Sequence, residues 1–244
     1  MYSWHDGAVT VEDSVATPAR LGGDLLRTTF MPSISTVTLG VIRLRDRALY
    51  LGPVAIHRFG PPKIASNSVS WPITGGLLTA SPGGQLTIES TGTEVKARVE
   101  GYRPMLPRRI YEATQLRLHH SLVRIQLLRL AGLAPPAQPA SPASRFGAAA
   151  IDVAVCAGMA LVLERRRPAR AFVRIAIGYH LVSWSTSGQT IGGRVMRQRV
   201  VASDGGRVSL VQAALRLAAL PLAAVRRYAA HDDIAATTVV TERL

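Results

Sequence analysis

The chain has 244 residues, 48% hydrophobic and 18% charged, with a mean hydropathy of +0.18. That length holds one large domain or two small ones, each able to bury a core, and the mean hydropathy is lower than a many-helix transporter would give. The formal net charge is +14, nearly all from arginine. It divides as +6 over residues 1–144 (15 basic minus 9 acidic) and +8 over residues 145–244 (14 minus 6). Such basicity raises nucleic acid as a partner. An aromatic content of 5% offers few stacking platforms and no nucleic-acid-binding motif is visible, so nucleic acid is not the expected partner. Arginines flanking apolar segments suit anionic lipid headgroups instead. The single cysteine, Cys156, excludes a disulfide framework within one chain.

Residues 1–23 are polar, with Pro18 and Gly22-Gly23 closing the stretch, and read as a flexible arm. The stretch has no basic n-region and no apolar h-region, so it is not expected to be a signal peptide, and the N-terminal domain is expected to stay in the cytoplasm. Residues 24–132 read as an α+β domain. The segments 34–42, 46–54, 69–80, 84–91 and 93–102 are predicted strands, rich in β-branched and alternating apolar residues. Gly92 falls where a tight hairpin needs positive φ. Pro104 and Pro107 end the sheet. Residues 108–131 then predict one long amphipathic helix, with Leu116, His119, Val123, Leu127 and Leu130 at spacings of three and four and Gly132 as its C-cap. His119 lies on the apolar stripe and is expected to be a core histidine. An antiparallel sheet closed by one long helix resembles helix-grip folds in shape only.

Residues 133–144, LAPPAQPASPAS, predict a semi-rigid extended linker. Three apolar segments follow, at 146–163, 171–184 and 209–225. On hydropathy the first alone is a fair membrane span, since about 20 residues cross the hydrocarbon core. The others carry Arg174 and His180, and Arg216 and Pro221. Residues 145–244 are therefore expected to form an all-α membrane helical module.

An ordered pattern runs through that module. Arg145 opens the first apolar segment and Asp152 lies inside it. Gly188-x-Thr190-x-Gly192 follows the second, with Arg194 close behind, and RVVASDG runs over 199–205. Arg216 sits within the third, and His231-Asp232 precedes Thr238-Val239-Val240. This order resembles the RDD family, named for one arginine and two aspartates. The resemblance covers residues 145–240. It implies a membrane module with a role in transport or the membrane environment, at the cell membrane and with the lipid bilayer as partner. A module this small has too few helices to enclose a pathway, so a working transporter is expected to be a homo-oligomer. The alternative is a membrane-anchored binding protein without transport activity.

Asp152 is the most informative residue. A carboxylate inside an apolar span costs about 2.5–3.5 kcal/mol on insertion scales and needs a partner. Arg145 precedes it by two helical turns, roughly 10 Å, too far for a direct pair. Arg216 is the expected partner, with Arg174 and His180 next. Asp232 can pair with Arg145, Arg226 or Arg227. The glycines at 188, 192 and 193 allow a sharp turn, and the loop lacks the Gly-Lys-Ser/Thr ending of a P-loop. No nucleophile–base pair or metal-ligand constellation is present in the sequence, so neither an enzymatic activity nor a cofactor is expected.

Overall fold

In the computed structural model, which describes residues 1–133, 137–225 and 230–242, the chain separates between Leu133 and Ala134 into two units. The first begins with a hairpin. Strand β1 (Tyr2–His5) turns through Asp6 and Gly7, both at positive φ, into β2 (Ala8–Ala16). Asp-Gly is a favoured pair for a turn of this twist. Val9, Val11 and Val15 alternate inward along β2 and are buried. The segment read as a flexible arm is therefore largely sheet. Its polar outward residues mask a period-two apolar face.

Helix α1 (Gly23–Val37) follows. The predicted strand at 34–42 is instead the end of this helix and the turn after it. Ile34 and Val37 are β-branched, but with Leu26 and Phe30 they complete a buried helical stripe. Burial of that stripe outweighs their strand preference. The chain then runs through β3 (Ile42–Arg45), β4 (Ala48–Leu51), β5 (Val54–Phe59), β6 (Lys63–Ile64), β7 (Ser68–Gly75), β8 (Thr79–Ser81), β9 (Gln85–Ser90) and β10 (Glu94–Pro104). Gly92 has φ +99° in the β9–β10 turn. The main sheet is antiparallel, in the order β1-β2-β10-β9-β7-β5-β4-β3, with β6 paired to β7 and β8 to β10.

The single helix expected over 108–131 is broken into α2 (Arg108–Ala113) and α3 (Gln115–Ala131) by a non-helical Thr114 at φ −123°, ψ −78°. Gly132 ends α3 in the left-handed region at φ +62°. Three helices thus accompany the sheet rather than one. Helix α3 lies on β2 and β10, and α1 packs on α3 and against β3 and β7. Between them lies an apolar cavity of about 170 Å³.

The second unit comprises α4 (Pro142–Leu163), α5 (Pro168–Thr186), α6 (Ile191–Val195), β11 (Gln198–Ala202), α7 (Leu210–Val225), α8 (Ala230–Ala235) and β12 (Thr237–Thr241). It is not all-α. Strands β11 and β12, from RVV and TTVV, pair antiparallel with Val200 opposite Val239, as clustered β-branched residues favour. Residues 137–141 of the expected linker belong to this unit. Pro139 bridges to Val240, Ala140 N donates to Val239 O at 2.9 Å, and Thr241 N donates to Gln138 O at 2.9 Å. Residues 134–136 of that linker lie outside the described residues. Ser141 caps α4 by accepting from Ser144 N at 3.2 Å.

Helix α4 packs on α5 and α6, α5 on α7, and α7 on α8. Among the described residues α4 alone is long and apolar enough to cross a membrane, with a mean hydropathy of 2.1 and only 22% of that span buried. Val153, Leu161, Val162 and Leu163 on α4, and Val173 and Val182 on α5, are exposed.

Candidate functional site: a buried polar cluster in the second unit

Arg145, on the first turns of α4, and Arg216, in the middle of α7, converge on one carboxylate, Asp232 of α8. The Arg216 side chain is 4% exposed and that of Asp232 is 6% exposed. Arg216 Nη1 also donates to Thr237 Oγ1 at 2.9 Å, and that hydroxyl donates to Asp232 Oδ1 at 3.4 Å. The Arg216 guanidinium lies 5.0 Å from the centroid of the Trp184 ring, a cation–π contact. Helix α4 is tied at this point to the sequence-distant α7, α8 and β12 by charge-assisted bonds, which are the stronger class. Asp232, not the neighbouring and exposed Asp233, is the buried acid. Arg226 and Arg227, also considered as its partners, lie outside the described residues.

Asp152 does not meet Arg216, contrary to expectation. Its Oδ1 accepts from Tyr179 Oη at 2.6 Å and from Gly192 N at 2.8 Å. Tyr179 Oη in turn accepts from Ile191 N at 2.6 Å. The cause is azimuthal. Asp152 faces α5 and α6, whereas α7 packs against α5 and α8. Two hydrogen bonds, one from a backbone N–H, solvate the carboxylate without a cation.

The glycines serve this second cluster by closeness. A Cβ on Gly192 would stand 2.1 Å from Ala148 O and 3.0 Å from Asp152 Cγ, so only glycine lets α6 approach α4. Gly188 has φ +73°, and its carbonyl accepts from Val200 N at 2.8 Å. Thr190 Oγ1 accepts from Gly193 N at 3.0 Å and caps α6.

His231 joins the first cluster. Its Nε2 lies 3.4 Å from Arg145 Nη2 and accepts from it, which leaves the ring proton on Nδ1, a buried atom with no hydrogen-bond partner among the described residues. Burial, with Arg216 and Arg145 adding repulsion, pushes its pKa down to about 3, so the ring is neutral. Among the described residues no three His, Cys, Asp or Glu side chains gather closely enough to hold a metal ion.

Arg145, Asp152, His180, Thr190, Arg216 and His231 all line one cavity of about 290 Å³. The eight residues singled out from the sequence are thus brought into one neighbourhood, as two clusters rather than one. Sequence reasoning missed Tyr179, Gln198 and Gln212. Gln198 Nε2 donates to Ser144 O at 2.8 Å, and Gln212 Nε2 donates to Ala235 O at 3.1 Å and Ala236 O at 3.2 Å. Gln212 offered a signal, being a polar residue inside an apolar run that must bury its amide against backbone.

Residues 168–238 match the model of the RDD family, and the residues before them match no family. The C-terminal unit therefore carries an RDD-family region. It begins at the first residue of α5, so Arg145 and Asp152 lie ahead of the matched stretch yet bond directly to groups within it. No curated protein and no solved structure matches the chain.

Proposed function

We propose that this chain is a membrane-anchored binding protein. The RDD-family unit embeds in the bilayer through α4, and the first unit is the binding head. Membership of the RDD family suggests a membrane protein, and the exposed apolar length of α4 suits a hydrocarbon environment. The observation that carries the reading is that both buried carboxylates of the unit are held by groups of this chain. Asp152 is held by Tyr179 and Gly192, and Asp232 by Arg145 and Arg216. Charges bound to one another across α4, α7 and α8 hold helices in place. Arg165, Arg166 and Arg167, between α4 and α5, and Arg170, on the first turn of α5, suit anionic headgroups.

A second reading, transport by an oligomer at the cell membrane, is favoured by the cavity that Arg145, Asp152, His180 and Arg216 line. Two experiments test the pair. Extraction of full-length protein from membranes by alkaline wash without detergent would end the anchored reading. Asp152→Asn in reconstituted vesicles separates the two. A changed ion or solute flux supports transport, and absence of any flux in both proteins supports the anchor.

A further inference from the structure

Resting on the reading of the first unit as the binding head, we propose that its interior cavity is a site for a small neutral apolar molecule that carries one hydrogen-bond donor, of the phenol or short alcohol class. The cavity lies between α3, α1 and the sheet, and its volume is about 170 Å³. A dry apolar cavity of about 150 Å³ accepts a benzene-sized guest. Its walls are aliphatic and aromatic, and no Arg, Lys, Asp or Glu lines it. A carboxylate or ammonium ligand would find no counter-charge there and would be penalised by desolvation.

One unmatched acceptor sets the polarity of the guest. Gln115 lines the cavity, and its amide Nε2 donates to Tyr102 Oη at 3.0 Å while Tyr102 Oη donates to Leu78 O. That relay fixes which end of the amide is occupied. Gln115 Oε1 is left buried without a partner among the described residues. A buried carbonyl oxygen lacking a donor is costly and rare in native structures. His57 also lines the cavity. Its Nδ1 lies 3.4 Å from Thr79 Oγ1. Burial, followed by repulsion from His119, lowers the His57 pKa to about 4, which keeps the ring neutral. Leu118 lines the cavity and is 50% exposed, so the wall there reaches the surface.

The test is a fluorine-NMR titration of the full chain in lipid nanodiscs with para-fluorophenol, fluorobenzene and para-fluorobenzoate, against empty nanodiscs. Saturable shifts are expected for the phenol, weaker ones for fluorobenzene and none for the benzoate. Leu118→Trp at the mouth and Val123→Trp on the wall are both expected to abolish the saturable component. The half-exposed Leu118 position keeps the test available if Val123→Trp does not fold. Gln115→Leu is expected to weaken the phenol roughly fivefold to tenfold, the value of one hydrogen bond, and to leave fluorobenzene within about twofold. The proposal is overturned by any of three results: shifts no larger than those of empty nanodiscs, shifts that persist in Leu118→Trp, or benzoate binding as tightly as phenol. The anchored reading is tested separately by the alkaline wash, so failure of one leaves the other standing.

Discussion

The two units bury polar groups in opposite ways. The C-terminal unit buries full charges, and Asp152 and Asp232 are each met by donors from other elements. The N-terminal unit lines an apolar cavity with neutral groups, and no Arg, Lys, Asp or Glu is among them. Buried ion pairs are weak devices for net stability, yet breaking one is expensive. They suit a part that must hold a single arrangement. A cavity with uncharged walls suits a part that receives a neutral guest.

That contrast can be broken most sharply at Asp232. Asp232→Ala leaves Arg145 and Arg216 buried without the carboxylate they share, and about 3–5 kcal/mol of stability should be lost from the second unit. Hydrogen exchange on full-length protein in micelles, read unit by unit, should show the loss there and leave residues 1–133 protected. Gly192→Ala comes next. The added Cβ would meet Ala148 O at 2.1 Å, and overpacking of this kind costs roughly 1–3 kcal/mol, measured as a lowered midpoint in denaturant.

The cavity sharpens the comparison from the other side. Ala213 in α7 is fully buried with no cavity beside it among those described, and Ala213→Leu should destabilise the second unit by about 1–3 kcal/mol. Val123→Ile, which grows into the open volume, should leave the first unit within about 0.5 kcal/mol of the parent in a thermal melt. Equal losses at both positions would mean that the first unit has no usable space.

Acidification gives a smaller effect. His57 and His119 have pKa values lowered to about 4 by burial, against an unfolded value near 6.5. The unfolded chain therefore binds more protons between those limits. Stability from the neutral rings is present above pH 6.5 and is lost as pH falls toward 4. From pH 7 to pH 5 the first unit should lose up to about 2 kcal/mol per histidine, and His119→Leu should remove one share of that slope in pH-dependent melts.

Much of the C-terminal site was legible in the sequence, because charges and glycines inside apolar runs have few reasons to be there. Asp152 and Arg216 stand out on that ground, and Arg145 and Asp232 through the ordered pattern that resembles the RDD family. Their pairing was not legible. Hydropathy locates an apolar segment but not its rotation, so Asp152 was matched to Arg216 when each faces a different neighbour. In the first unit the later strands were readable from alternation and from Gly92. The hairpin at Asp6-Gly7 was hidden by polar outward residues, and α1 by β-branched residues on a helical stripe. The cavity had no sequence signature at all. It arises from three-dimensional packing between residues as far apart as Val11 and Gln126.

The bridge between Pro139 and Val240 has a kinetic meaning. It joins positions about one hundred residues apart, with α4 to α8 strung between them. Loop-closure entropy makes such a contact late and slow to form. Closing it ties the first residues of the unit to its last strand around the helices between them. Contacts made after the transition state slow unfolding more than they speed folding. A module built this way is slow to assemble and slow to open.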